Sequence, residues 1–161
     1  MNQSSHPEIS LTNLSNEGLV HANVMENMEI TTAVLVVDDE PAVALAIKAA
    51  LKFCGFPAMT VPNGQAALDA IQADPGRFQI VLSDHNMPGL GGIGLGGIGL
   101  VKALRVIGYP GRIVILSGYL TQENEAQYRD LGVDQILSKP FNIERLRRTL
   151  NLALHPAVCH S

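Results

Sequence analysis

The feature of this sequence that most limits its fold is a regular alternation of short apolar segments with segments of helical periodicity. The segments are four to six residues long, and the apolar runs Thr32–Val37 and Phe78–Ser83 are typical of strands buried on both faces. Strands are predicted at Thr32–Val37, Ala58–Val61, Phe78–Ser83, Ile113–Leu116 and Gln135–Ser138, and helices at Ala42–Phe53, Gly64–Ala73, Leu100–Ile107, Glu123–Leu131 and Ile143–Leu154. Because strands joined through helices form parallel sheets covered on both sides, the pattern predicts a doubly wound α/β fold.

The first 31 residues differ in composition from the rest of the 161-residue chain. They are rich in Ser, Asn and Glu, lack Lys and Arg, and show weak periodicity, so we predict a flexible acidic tail over residues 1–31. The predicted folded domain covers residues 32–155, and a short tail covers residues 156–161. Four of the 15 acidic residues lie in the N-terminal tail, which leaves 11 residues of each sign elsewhere. This neutral balance argues against non-specific nucleic-acid binding, which requires a basic surface.

The sequence also predicts a cytoplasmic protein without a membrane anchor. Its first residues lack the basic and apolar regions of a secretory signal, and no apolar run reaches the ~18 residues of a membrane-spanning helix. The two cysteines, Cys54 and Cys159, match no metal-binding or disulfide spacing, which favours a reducing compartment.

A perfect repeat interrupts the pattern, because residues 91–95 and 96–100 both read GGIGL. A five-residue step rotates a helix by about 140° beyond a full turn, so two copies inside one helix would turn its apolar face away from the sheet. We therefore predict that one copy lies in an extended loop before the helix, and that Leu100, Leu104 and Ile107 lie on one face of the helix.

Polar side chains stand at the carboxyl ends of four predicted strands. Asp38 and Asp39 follow the first strand, Asp84 the third, Ser117 the fourth and Lys139 the fifth. In doubly wound sheets these ends converge on one crevice. Carboxylates so placed repel one another and need a cation, and oxygen ligands with open positions favour Mg²⁺. A metal, a carboxylate nucleophile, a Lys and a hydroxyl are the parts of a phosphoryl-transfer site.

Four sequence blocks carry a specific resemblance. VLVVDDEP at 34–41, SDHNMP at 83–88, Ser117-Gly118 and KPF at 139–141 closely resemble the receiver (CheY-like) domain of two-component response regulators. The resemblance covers about residues 33–155. It implies a flavodoxin-like sheet with strand order 2-1-3-4-5.

The resemblance implies a role for each acidic residue. Asp84 matches the phosphoacceptor. Asp38 and Asp39 match the acidic pair that holds Mg²⁺, with Asp39 the more direct ligand. Asn86 matches the residue whose backbone carbonyl completes the metal site.

It also implies roles for the residues beyond the fourth and fifth strands. Ser117 matches the hydroxyl that bonds the phosphoryl group, and Lys139 matches its cationic partner. The Lys139–Pro140 peptide bond is expected to be cis. Tyr119 stands where the family tunes dephosphorylation. Ile136 departs from the family, since an aromatic residue that moves with the hydroxyl usually stands there.

The predicted function is that of a stand-alone receiver that takes a phosphoryl group from a histidine kinase or a histidine phosphotransfer protein. Output is expected through protein contacts of the fourth helix, fifth strand and fifth helix, near Asp134 and Arg145–Arg148, either with an unknown partner or in a homodimer. We expect His85 to face solvent or neighbouring backbone.

Two alternatives remain open at this point. The first is a phosphorylation-independent binding module whose acceptor site is impaired by the repeat. The second is a small aspartyl-phosphate hydrolase. It is disfavoured because such an enzyme needs a second Asp at the position of Asn86.

Overall fold

The computed structural model describes residues 33–88 and 95–156, which form a five-stranded sheet with helices on both faces. The strands are β1 (Ala33–Val37), β2 (Ala58–Val61), β3 (Phe78–Asp84), β4 (Arg112–Ser117) and β5 (Gln135–Ser138). The helices are α1 (Pro41–Phe53), α2 (Gly64–Ala73), α3 (Gly97–Val106), α4 (Gln122–Asp130) and α5 (Ile143–Leu154). All neighbouring strands are parallel, in the order β2-β1-β3-β4-β5, so the predicted fold class and topology are confirmed.

The core lies on both sides of the sheet, which explains why its central strands are continuously apolar. In β1, Leu35 and Val37 pack on one face with residues from α2, α3 and α4. The alternate residues Val34 and Val36 pack on the other face with residues from α1 and α5. Because successive strand residues point to opposite faces, a strand covered on both sides must be apolar at every position.

Local signals in the sequence set several helix boundaries. Pro41 occupies the first turn of α1, where its missing N–H costs nothing. Asn63 and Asn142 cap α2 and α5, and in each case the side-chain oxygen accepts a hydrogen bond from the backbone N–H three residues later. In the described part of the chain, no helix is long and apolar enough to cross a membrane.

Helix α3 differs from the prediction at both ends. It begins at Gly97 rather than Leu100, so the second GGIGL copy provides the N-cap and the first turn. Its buried apolar residues are Leu100, Val101 and Leu104, whereas Ile107 follows the last helical turn and is 40% exposed. The predicted end of the helix at Ile107 was therefore one residue too late. Residues 89–94, which hold most of the first copy, lie outside the described residues, as does the predicted tail over 1–31.

The buried side chain of Tyr109 allows the contribution of one core hydrogen bond to stability to be measured. Its buried hydroxyl donates a 2.9 Å hydrogen bond to the carbonyl of Phe78, and burial raises its pKa above the ordinary value of 10.0. Tyr109→Phe should lower the free energy of unfolding by about 1 kcal/mol at pH 7. Urea unfolding measures this, and Tyr119→Phe, which alters a tyrosine side chain that is 77% exposed, should leave stability unchanged.

The raised pKa of Tyr109 also predicts how the stability difference between wild type and Tyr109→Phe changes with pH. A raised pKa in the folded state contributes stability that is present below pH 10 and is lost as the pH rises, because the unfolded chain releases the phenolic proton first. The stability advantage of wild type over Tyr109→Phe should thus shrink above pH 10 by up to about 1.4 kcal/mol per pH unit. An advantage that stays constant up to pH 11 would contradict this assignment.

Candidate functional site

The carboxyl ends of β1, β3, β4 and β5 bring four polar residues to one edge of the sheet. Asp38 directly follows β1, Asp84 and Ser117 end β3 and β4, and Lys139 directly follows β5. Asp38, Asp84 and Ser117 are at most 6% exposed. Polar groups are seldom buried so deeply without partners, so their hydrogen bonds indicate what this edge can do.

The carboxylate of Asp84 is held by two donors. Lys139 Nζ donates to Oδ1 at 2.8 Å, and the backbone N–H of Asn86 donates to Oδ2 at 3.0 Å. The same Lys139 Nζ lies 4.0 Å from Asp38 Oδ2. One ammonium group therefore lies against both buried carboxylates, with the shorter contact to Asp84.

Asp38 has one satisfied and one unsatisfied oxygen. Its Oδ1 accepts a 2.9 Å hydrogen bond from the N–H of Glu40, whereas the buried Oδ2 has no hydrogen-bond partner. Burial raises the pKa of Asp38, the Glu40 amide opposes this shift, and the negative charge of Asp84 adds to it. A buried acceptor without a donor is costly, so this atom fits the coordination of a cation.

Asp39 and Asn86 lie at the edge of the cluster. Asp39 is exposed, and its charge contributes to the raised pKa of Asp38. Within the described residues, no three acidic, His or Cys side chains form a ready-made cation site. The exposed Asn86 contributes its backbone N–H to Asp84, and the metal-binding role of its carbonyl stays a prediction.

Ser117 is engaged locally rather than with Asp84. Its hydroxyl donates to the carbonyl of Tyr119 at 2.8 Å and accepts from the N–H of Tyr119 at 3.1 Å. The side chain of Tyr119 points away from the core and is largely exposed. The Lys139–Pro140 bond is cis, as expected, and Ile136 packs against the core on the side of α3 and α4.

His85 is the site residue that the sequence analysis misjudged. Its ring is half-buried and contacts helix α4, since Nδ1 lies 2.7 Å from the hydroxyl of Tyr128 and Nε2 lies 3.3 Å from the amide nitrogen of Asn124. Burial lowers the pKa of His85, with the charge of Asp84 acting in the opposite direction. No local signal marks this contact, because Tyr128 is 43 residues further along the chain.

Comparison with known proteins supports the same family. The family model of the response regulator receiver domain matches residues 34–151. The sensor histidine kinase GacS of Pseudomonas protegens is 35% identical over 122 residues, which are 73% of this chain and 12% of the kinase. The transcriptional regulatory protein KdpE of Mycobacterium tuberculosis is 30% identical over 125 residues, which are 76% of this chain and 51% of the regulator.

Comparison with solved structures leads to the same family as the sequence comparisons. The structure of the chemotaxis protein CheY4 of Vibrio cholerae superposes with a TM-score of 0.68 at 30% identity, over 76% of this chain and 98% of that one. The chain thus spans about half the length of KdpE and about an eighth of GacS, but nearly all of CheY4. With the family model covering most of the chain and the sheet order in agreement, the chain belongs to the family of response regulator receiver domains.

Proposed function

We propose that Asp84 accepts a phosphoryl group from a phosphohistidine of a histidine kinase or a phosphotransfer protein. The observation that carries this proposal is the buried Asp84 carboxylate, held by Lys139 at 2.8 Å beside the unsatisfied oxygen of Asp38. Receiver domains as a family are phosphoacceptor signalling domains and interact with such donors.

In the proposed transfer, an Asp84 oxygen attacks the phosphorus atom. The O–P bond forms, the P–N bond to the donor imidazole breaks, and that imidazole leaves with the bonding electron pair. Lys139 neutralises negative charge as the phosphoryl group arrives, and the Asn86 N–H keeps the carboxylate oriented. These two contacts exist before the donor binds, so little reorganisation is needed.

Mg²⁺ is the proposed cofactor. Asp38, Asp39, Asp84 and the Asn86 carbonyl would hold it, and the orphaned Asp38 Oδ2 is the observation that fits a cation here. When bound, Mg²⁺ supplies positive charge to the phosphoryl oxygens. Few carboxylates in direct contact are sufficient, because Mg²⁺ in proteins usually keeps several water ligands and binds phosphate oxygens.

The phosphorylated state is proposed to differ at Ser117. The new group carries about −1.5 to −2 charge and accepts strong hydrogen bonds. Ser117, whose hydroxyl now bonds the backbone of Tyr119, would turn to a phosphoryl oxygen, while Lys139 pairs with the same group. A state in which both bind the phosphoryl group is favoured by phosphorylation, and this shifts the conformational population. We propose that the exposed Tyr119 ring limits the access of water to this group.

Output is proposed through the surface of α4, β5 and α5, to a partner protein or a second copy. Asp134, which lies near this surface, pairs with Arg112 at 3.1 Å and accepts a hydrogen bond from the N–H of Ile113. Three exposed basic residues lie on α5, namely Arg145, Arg147 and Arg148, and they suit an acidic partner although Arg147 also pairs with Glu144.

Phosphorylation by a small donor tests the proposal. After incubation with acetyl phosphate and Mg²⁺, intact-mass spectrometry should show a gain of about 80 Da that EDTA prevents. A folded sample without this gain would contradict the proposal. The variant that lacks one GGIGL copy would then be measured. Restored phosphorylation would identify the repeat as the cause, whereas continued failure would favour the phosphorylation-independent module.

A further inference from the structure

Helix α4 buries a single large side chain between the flanking residues Leu120 and Leu131, which are only partly buried. Its sequence, QENEAQYRD, is strongly polar, and within this helix only Tyr128 is buried. Tyr128 has no exposed surface and belongs to the buried core cluster that also contains apolar residues of β1, α2 and α3. The position of α4 therefore depends on where the ring and hydroxyl of Tyr128 are held.

The hydroxyl of Tyr128 is held by His85. The two rings meet edge to face, with centroids 5.6 Å apart and planes at 75°, and the hydroxyl lies 2.7 Å from Nδ1. The other ring nitrogen lies 3.3 Å from Asn124, which is one helical turn before Tyr128. A neutral imidazole has one donor and one acceptor nitrogen, so it can satisfy a hydroxyl and an amide together.

His85 lies at the carboxyl end of β3, next to the proposed phosphoacceptor Asp84. His85 directly follows Asp84, and its N–H donates to the carbonyl of Leu116, the residue before Ser117. Gly97, in the first turn of α3, lies against both the Asp84–His85 peptide and the Tyr128 hydroxyl. A Cβ added at Gly97 would lie 2.5 Å from the Tyr128 hydroxyl and 3.1 Å from the Asp84 carbonyl oxygen. The acceptor peptide, the start of α3 and Tyr128 thus meet without free space between them.

We propose that the His85 ring, held between Tyr128 and Asn124, is a positioning element that transmits the phosphorylation state of Asp84 to helix α4. This inference rests on the proposed function of Asp84. A shift of the Asp84–His85 peptide moves the ring, and the ring must carry Tyr128 with it or leave a buried hydroxyl unpaired. Ile136 has no polar group that could form a hydrogen bond of this kind. The proposed connection from Asp84 therefore runs through His85 to Tyr128 of α4.

The test compares the response of α4 in full-length wild type and Tyr128→Phe. Amide hydrogen exchange over residues 122–130 is measured with and without beryllium fluoride and Mg²⁺, which mimic the bound phosphoryl group. In wild type we expect exchange in α4 to change about tenfold, within the usual range of coupling between sites. In Tyr128→Phe this change should disappear, while phosphorylation of Asp84 by acetyl phosphate continues.

Tyr109→Phe is the matched control. It removes another buried, hydrogen-bonded tyrosine hydroxyl of the same core cluster, but one that bonds Phe78 rather than His85. It should lose stability and keep the full α4 response. Should Tyr128→Phe fail to fold, Asn124→Ala removes the second contact from a half-buried position and should weaken the response.

Two results would overturn the inference. One is an α4 response in Tyr128→Phe equal to that of wild type, and the other is a phosphorylated wild type whose α4 does not respond. A wild type that acetyl phosphate does not phosphorylate is a different result, since it contradicts the proposed function and the inference together.

Discussion

Asp84→Asn is expected to gain no mass from acetyl phosphate and Mg²⁺ under conditions in which wild type gains about 80 Da. The substitution preserves the size of the side chain and an oxygen that can accept from Lys139 or the Asn86 N–H. It removes the anionic nucleophile, because a neutral amide oxygen does not form a stable bond to phosphorus under these conditions. Lys139 also loses its closest anionic partner. Intact-mass spectrometry over a time course measures the effect.

The chain offers a matched control for this variant. Asp74 lies between α2 and β3, at the amino end of the strand whose carboxyl end carries Asp84, and it is exposed. Asp74→Asn makes the same chemical change at the opposite edge of the sheet and should be phosphorylated like wild type. Mass gain in Asp84→Asn equal to that of Asp74→Asn would show that another residue is the acceptor.

Asp38→Asn should change stability and Mg²⁺ affinity in opposite ways. Without divalent cations, the variant should unfold with a free energy about 1 kcal/mol higher than that of wild type. Asn keeps an oxygen for the Glu40 N–H but removes a buried charge beside Asp84, and the raised pKa of Asp38 indicates that this charge is disfavoured there. With one ligand weakened, Mg²⁺ should bind at least about tenfold less tightly, a loss of about 1.4 kcal/mol.

Urea unfolding in EDTA and at increasing Mg²⁺ concentration measures both effects. Ligand binding to the folded state stabilises wild type by about 2.7 kcal/mol at a hundred times the Kd, and Asp38→Asn should show much less stabilisation at the same concentration. Asp134→Asn is the contrasting control. It breaks the pair with Arg112 outside the site, and it should lose stability while keeping the full effect of Mg²⁺. If Asp38→Asn also lost stability in EDTA, the carboxylates would be a structural ion cluster instead.

Much of the fold could be predicted because its rules are local. The apolar run of β1 must be buried on both faces, and the helical spacing in α5 places Leu146 and Leu150 on the core side. Parallel strands joined by helices bring their carboxyl ends to one edge. This is why Asp84 and Lys139, 55 residues apart, could be expected to lie close together before any contact was known.

The errors have a common cause in packing between elements. His85 was expected to face solvent or neighbouring backbone, but its ring contacts Tyr128 and Asn124 of helix α4. The start of α3 was placed too late, at Leu100 instead of Gly97. At Gly97 the absence of a side chain is instead what allows close contact with Tyr128.

The sequence by itself thus determined the order of elements, the two-sided core and the edge of the sheet at which chemistry is expected. These follow from periodicity and chain connectivity, which each segment carries within itself. Only the tertiary structure decided that Asp38 has an unsatisfied oxygen, that Ser117 is bonded to its own loop, and that His85 is joined to Tyr128. Such contacts depend on the rotation and depth of each helix against the sheet. That placement results from the packing of the whole core, and no short stretch of residues records it.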